Sequence, residues 1–188
     1  ATQMSDPSFI GHTEFIAQLC GTNTFSMMLT NKDIAVAHVS AHVSLIDAIH
    51  LVTIERVSSV IELTNGTLSR FISNPRIAVC GLNPHAGENC LFGHEDSKII
   101  LPAIELMRDK GIDVSGPFPA DTIFYQAIHK DQYDAIVCMY HDQGHGPMKL
   151  IAFESAVNVT IGLPIIPTSV ANGSAIHKES QGKENTES

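Results

Sequence analysis

Five apolar runs of strand length, Phe25–Leu29, Ile34–Val39, Arg76–Leu82, Ala135–Met139 and Ala156–Leu163, punctuate a chain whose longer intervals carry apolar residues at helical spacing. Short β-branched runs bury in a sheet and three- to four-residue spacing buries one helix face, so this alternation commits the chain to a layered α/β fold. Helices are expected over 13–19, 44–52, 54–71, 99–107 and 122–128, the last with Asp121 as N-cap, and a short strand over Ile112–Val114. Asn65 and Gly66 weaken the middle of the third of these helices. From Gly173 the composition turns polar, and residues 173–188 read as a disordered tail following a folded portion, 1–172.

In such folds ligands gather where strands end, so loops that leave carboxyl ends of strands are the places to look for chemistry. Three of them carry a histidine. His42 follows the run ending at Val39, His85 follows the run ending at Leu82, and His141 follows the run ending at Met139. Three neutral imidazoles with open positions beside them suit zinc, cobalt or nickel and other divalent ions. A second pattern, HDQGH at 141–145, sets His141 and His145 four apart with Asp142 between, a weak echo of a zinc-hydrolase helix. Gly144, Gly146 and Pro147 speak against a helix there, and the segment HDQGHGPMK reads as a loop.

Charge and composition exclude other classes. Eleven Lys and Arg face twenty Asp and Glu in 188 residues, a formal charge of −9, which opposes binding to nucleic acid and to anionic membranes. No apolar run approaches the length of a membrane span and the first residues lack a signal peptide's pattern, so a cytoplasmic location is expected. Cys20, Cys80, Cys90 and Cys138 form no CxxC pair and read as reduced thiols. GxGxxG and GxxxxGK[ST] loops are both absent; Lys149 is a possible point-charge contact for a phosphate, or a surface lysine. Asn158, in an apolar strand, needs a partner, structural or ligand.

Five strings are more specific: GHTEF at 11–15, GLNPHAGE at 81–88, GPFPADT at 116–122, MYHDQG at 139–144 and AVNVTIGLP at 156–164. In this order they resemble the 4-hydroxythreonine-4-phosphate dehydrogenase (PdxA-type) family of pyridoxal phosphate biosynthesis, from about Gly11 to about Ala175. The resemblance implies a partial α/β/α fold of the isocitrate/isopropylmalate dehydrogenase-like type, which binds NAD or NADP without GxGxxG. It implies a homodimer with a shared active site and a divalent metal (Zn, Mg or Co) on His42, His85 and His141, one of them from the partner subunit. The implied reaction oxidises the secondary alcohol of 4-phosphohydroxy-L-threonine, or a related phosphorylated hydroxy acid, to a ketone, and decarboxylation follows. His12, Thr13, Lys149 and Asn158 match substrate-binding positions, and Asp121 and Thr122 are expected to face the same pocket.

The chain also departs from the family. Where the family reads Arg-Thr-Ser-Val-Asp-His-Gly-Thr-Ala, this chain has PTSVANGSA, with Pro167, Ala171 and Asn172 replacing the arginine and the Asp-His pair. After the first histidine ligand the family's THxPLRD becomes AHVSLID, with Ser44 for proline and Ile46 for arginine. The family's upstream TGPxxK segment and its C-terminal helices have no counterpart in these residues. The alternative is a non-catalytic homologue that dimerises and binds metal or a phosphorylated metabolite without turnover. A zinc hydrolase using His145 in place of His42 is a third possibility.

Overall fold

The computed structural model describes residues 21–22, 24–163 and 168–170. The expected helix over 13–19, Cys20, His12, Thr13, Pro167, Ala171, Asn172 and the 173–188 tail lie outside these residues.

A hairpin opens the described chain: β1 (Ser26–Thr30) turns at Asn31–Asp33 into β2 (Ala35–His38), and the Asn31 side chain accepts from the Asp33 and Ile34 amides, both at 2.9 Å. Two helices follow, α1 (Leu45–Leu51) and α2 (Ile54–Leu68). Ser44 caps α1 by accepting from the Asp47 amide, and Thr53 caps α2 by accepting from the Arg56 amide. The chain then alternates β3 (Ile77–Cys80), α3 (Leu101–Asp109, entered through a π-turn at Asp96–Ile100), β4 (Val114–Phe118), α4 (Ala120–His129), β5 (Ala135–Cys138) and α5 (His141–Ala152). It closes with β6 (Val157–Ile161) and β7 (Thr168–Val170).

The strands form one seven-stranded mixed sheet in the order β4-β3-β5-β2-β1-β6-β7. β4, β3, β5 and β2 run parallel; β1 is antiparallel to β2 and β6, and β7 to β6. Alternate residues serve opposite faces. Ala35, Ala37, Ile77, Val79, Ala135 and Val137 pack with Val57, Val60 and Ile61 of α2 and Ile104 and Met107 of α3. Val36, Ala78, Cys80, Ile136 and Cys138 pack with Ile123 and Phe124 of α4 and Met148 and Ala152 of α5. Helices therefore cover both faces of the sheet, as the alternation of runs anticipates.

Two expectations need correction. Segment 141–152 is a helix, not a loop, despite Gly144, Gly146 and Pro147. Pro147 forgoes only its own backbone bond to the preceding turn, while the buried side chains of Met148 and Ala152 hold the helix on the sheet. Gly144 is small because it must be: a Cβ there would lie 2.5 Å from His38 Nε2 and 2.8 Å from Val36 Cγ1. The second correction concerns α4, which starts at Ala120, so Asp121 sits in its first turn and Pro119 takes the capping position. Placing Asp121 there still matches its charge to the helix dipole. Residues 114–118 also extend β4 beyond the short strand expected, into Gly116–Phe118.

Cys80, Cys90 and Cys138 are free thiols, as expected; Cys80 and Cys138 stand side by side on β3 and β5 with their sulfurs 3.8 Å apart, and Cys90 is exposed. Among the described residues no helix is long and apolar enough to cross a membrane.

Candidate metal and substrate site

β2, β5 and β3 are adjacent and parallel, so their carboxyl ends lie on one edge of the sheet at intervals of about 4.8 Å. His42 leaves the first, His141 the second and His85 the third. Strand polarity thus delivers the three candidate ligands to a single edge, with His141 in the middle.

His42 and His141 line the same cleft, of about 510 Å³, with Val43, Ser44, Leu45, Ala48, Tyr140 and Asp142. Their ring centroids are 5.9 Å apart. His85 is not part of that lining; it stands exposed on the next loop, edge-on to Phe92 with centroids 5.9 Å apart. Among the described residues no three His, Cys, Asp or Glu side chains converge closely enough to enclose an ion. A slightly larger cavity of about 550 Å³ between α2 and the end of β6 contains none of these histidines. The cleft that holds two imidazoles is the candidate site.

The carboxylates hydrogen-bonded behind two of these imidazoles suit metal binding. His141 Nδ1 lies 2.6 Å from Asp142 Oδ1, and His85 Nδ1 lies 2.8 Å from Glu88 Oε2. A carboxylate only accepts, so in each pair Nδ1 carries the proton and Nε2 keeps its lone pair for a ligand. The His141 contact holds the Asp142 carboxyl below its ordinary range, which keeps it an acceptor; the Glu88 hydrogen bond and charge, with a smaller contribution from Asp121, raise His85, so a metal ion there competes with a proton for Nε2.

The loop bearing His85 is conformationally costly. His85, Ala86, Glu88, Asn89 and Cys90 all have positive φ, at roughly 1–2 kcal/mol per residue for side chains bearing a Cβ. Asp96, 2% exposed, anchors the base of this loop by accepting from the Leu82 amide at 2.7 Å, the Asn83 amide at 3.2 Å and Asn83 Nδ2 at 2.9 Å. Gly81 allows that approach, since a Cβ would lie 2.6 Å from Asp96 Oδ1. On the other side, Arg56 donates to Val39 O at 2.8 Å and Phe25 O at 2.9 Å, holding the exit of β2 that leads to His42.

Of the remaining expected residues, Asp121 and Lys149 are near enough to act on the charges at this edge, whereas Asn158 lies level with Val36, towards the amino end of β2 and away from it. Asp121 is near enough to His85 to affect its charge, and the Thr122 hydroxyl donates to Pro119 O at 3.2 Å. Lys149 lies on α5, where its charge lowers both Asp142 and His145. Asn158 pairs in register with Leu29, which places it on the sheet face covered by α5; its Oδ1 is buried without a hydrogen-bond partner. His12 and Thr13 fall outside the described residues.

Two further histidines form a buried relay that the loop reading of 141–149 hid. His38, at the end of β2, is 1% exposed and His145 is 8% exposed. His38 Nδ1 donates to Met27 O at 3.2 Å, which leaves Nε2 to accept from His145 Nδ1 at 3.1 Å. His145 stacks on His141 with centroids 3.7 Å apart and planes 11° from parallel. Burial, then the charge of His145, pushes His38 down to about 3; burial, then the charge of His141, pushes His145 down to about 4. Both are neutral spacers behind His141. A histidine at the inward-facing end of an apolar strand run is the sequence signal for this arrangement.

The family model described as pyridoxal phosphate biosynthetic protein PdxA matches residues 1–188. The chain is 51% identical over 176 residues to a D-threonate 4-phosphate dehydrogenase of Cupriavidus necator, covering 93% of this chain and 53% of that protein. It is 49% identical over 179 residues to a 4-hydroxythreonine-4-phosphate dehydrogenase of Geobacter metallireducens, covering 95% and 52%. The crystal structure of a 4-hydroxythreonine-4-phosphate dehydrogenase from Klebsiella pneumoniae superposes with a TM-score of 0.85 at 42% identity, covering 98% of this chain and 56% of that one. The chain therefore spans about half the length of the curated relatives it matches.

Proposed function

The chain belongs to the PdxA family, and on that premise we propose that residues 1–172 form the metal-binding, dimerising portion of a metal-dependent NAD(P) oxidoreductase. Its substrate is 4-phosphohydroxy-L-threonine or a related phosphorylated hydroxy acid such as threonate 4-phosphate, and the alcohol-to-ketone step is followed by decarboxylation. Relatives bearing both kinds of name align at nearly equal identity, 51% and 49%, so identity alone does not choose between the substrates. The layering of helices on both faces of a mixed sheet with a parallel half is in keeping with an isocitrate/isopropylmalate dehydrogenase-like ancestry.

The observation that carries this reading is the delivery of His42, His141 and His85 to one edge by three adjacent parallel strands. The donor set fits: two of the three imidazoles keep Nε2 available because a carboxylate holds Nδ1. His42 and His141 share a cleft, and a partner subunit completing the set accounts for His85 standing apart. A divalent ion in this place supplies a Lewis acid to the substrate's oxygen when bound. Zinc, cobalt and magnesium are the candidates; imidazole donors suit the first two better.

The chain's own residues then bind and orient. Lys149 offsets phosphate or carboxylate charge in a strongly acidic protein; Asn158 enters the site only by the family resemblance, since its unpartnered Oδ1 lies away from the edge that carries His42 and His141. On this reading His12 and Thr13 add donors, and Asp121 and Thr122, at the start of α4 and outside the lining of the His42–His141 cleft, join from the side of His85. Dimerisation is supported by α1, whose Leu45, Ile46 and Ile49 are exposed beside the cleft.

The test is NADH or NADPH formation with 4-phosphohydroxythreonine and, separately, threonate 4-phosphate, with and without added divalent metal. Metal-stimulated turnover on either substrate is expected. Metal binding without turnover on both favours the non-catalytic homologue, which the replacements Pro167, Ala171 and Asn172 support.

A further inference from the structure

Arg56 sits in the first turn of α2, where the helix dipole is positive, and it is half-buried. A cation gains nothing from that end of a helix. Its guanidinium donates to Phe25 O and Val39 O, one just before β1 and the other just after β2, so it spans the open end of the hairpin from which the chain runs on to His42. Two of its five N–H groups are thereby used. Arg76, elsewhere in the same fold, meets the carboxylates of Asp131 and Asp134. No carboxylate pairs with Arg56 among the described residues, and burial lowers it with no opposite charge to offset the loss of water.

This guanidinium faces a space. Arg56 lines a cavity of about 150 Å³ with Phe25, Ser40, His42, Val43 and Leu51, and among the described residues no Asp or Glu borders it. His42 also lines the larger cleft with His141, so the small cavity adjoins the candidate site. Its other polar groups are committed. Ser26 Oγ donates to His38 O at 2.7 Å, Ser40 Oγ donates to Met139 O at 2.9 Å, and His38 lies between Met27 O and His145. With His42 assigned to the ion, what the cavity offers a ligand is the remaining edge of one guanidinium.

We propose that Arg56 and this cavity form an oxyanion subsite that takes the carboxylate end of the substrate beside His42. The inference rests on the substrate class proposed above and adds the residue that holds one end of it. Sites that enclose a whole ligand run to roughly 300–1,000 Å³, so only one end enters here. A carboxylate carries the single charge that neutralises one guanidinium, and its two oxygens match the planar fork. A phosphate dianion would bring surplus negative charge into a space with no second cation among the described residues. The phosphate end is left to Lys149 on α5.

The experiment is calorimetry with Co²⁺ present and no nicotinamide, so that nothing turns over. It compares threonate 4-phosphate with threitol 4-phosphate, in which CH₂OH replaces the carboxylate, on the full chain, Arg56→Gln and Arg56→Lys, each checked by thermal melting. The parent is expected to prefer threonate 4-phosphate. Arg56→Gln should bind that compound roughly 10- to 100-fold more weakly and bind threitol 4-phosphate as the parent does, the scale of a lost hydrogen bond to a charged group. Should Arg56→Gln fail to melt cooperatively, Arg56→Lys carries the result, since it keeps the charge, loses the fork and should narrow the same preference. A folded variant that keeps the parent's preference would overturn the subsite alone, and so would equal losses on both compounds, which a mere staple between Phe25 and Val39 predicts. A parent that binds neither compound would overturn the substrate reading and the subsite with it.

Discussion

The ring of His145 donates through Nδ1 to Nε2 of His38 across 3.1 Å, and the same His145 ring lies flat on His141. The inner histidine is sealed between Met27 O and this donor, so protonating it would break a hydrogen bond and bury a charge.

That arrangement sets a pH window. An unfolded His38 titrates near 6.5, while the folded residue is pushed down to about 3, so below pH 6.5 the unfolded chain binds a proton that the folded chain refuses. Stability is therefore expected to be level above about pH 7 and to fall as pH drops from 6.5 towards 4, with His145 shifted in the same direction. Urea midpoints of the metal-free protein between pH 4.5 and 8 measure this. A flat profile down to pH 5 would contradict it.

Gly144 and Gly146 are expected to respond oppositely to alanine. At Gly144 the new methyl meets His38, Val36 and Cys138, and the overpacked site should lose roughly 1–3 kcal/mol. At Gly146 nothing lies within 4 Å, and helix propensity alone should add about 0.5–1 kcal/mol. Chemical denaturation of the two variants gives the comparison; equal effects would mean that the packing of α5 on β2 is misassigned.

Asp134 ties the starts of β3 and β5 together, accepting the Arg76 amide at 2.7 Å and the guanidinium at 2.9 and 3.1 Å. These bonds hold its carboxyl below the ordinary range, so this contribution is present at neutral pH and lost as pH falls through the depressed value. Asp134→Asn should cost on the order of 2 kcal/mol at pH 7, and the difference from the parent should narrow in acid. Paired melts at pH 7 and below pH 4 test both parts.

In the proposed dimer the exposed side chain of Ile46, on α1 next to the cleft residue Leu45, falls in the subunit interface. Ile46→Glu should shift the sedimentation of the protein from dimer to monomer without lowering its melting temperature. An unchanged dimer would move the interface elsewhere.

The positions of the three candidate histidines were legible in the residues, because strand runs announce their own ends and His42, His85 and His141 each stand beyond one. The parallel order β3-β5-β2 that makes those ends neighbours is not written in any local pattern; it follows from pairing across the chain. The helix at 141–152 was obscured by glycine and proline, whose usual reading as breakers fails where Gly144 is dictated by His38 overhead. Arg56 and Asp96 look ordinary in sequence, since their importance lies in the backbone groups they meet. The capping of α1 by Ser44 shows the reverse case, a departure from the family pattern with a readable local use.

The central claim is that His42, His85 and His141 hold one divalent ion, with the set completed across two copies of the chain. A crystal structure of the protein grown with zinc or cobalt tests it most directly. The account expects a single ion with an imidazole nitrogen of each of these three residues at about 2.0–2.1 Å, one of them contributed by the second copy. An ion held by other residues, or these three histidines remaining apart in the presence of saturating metal, would contradict it.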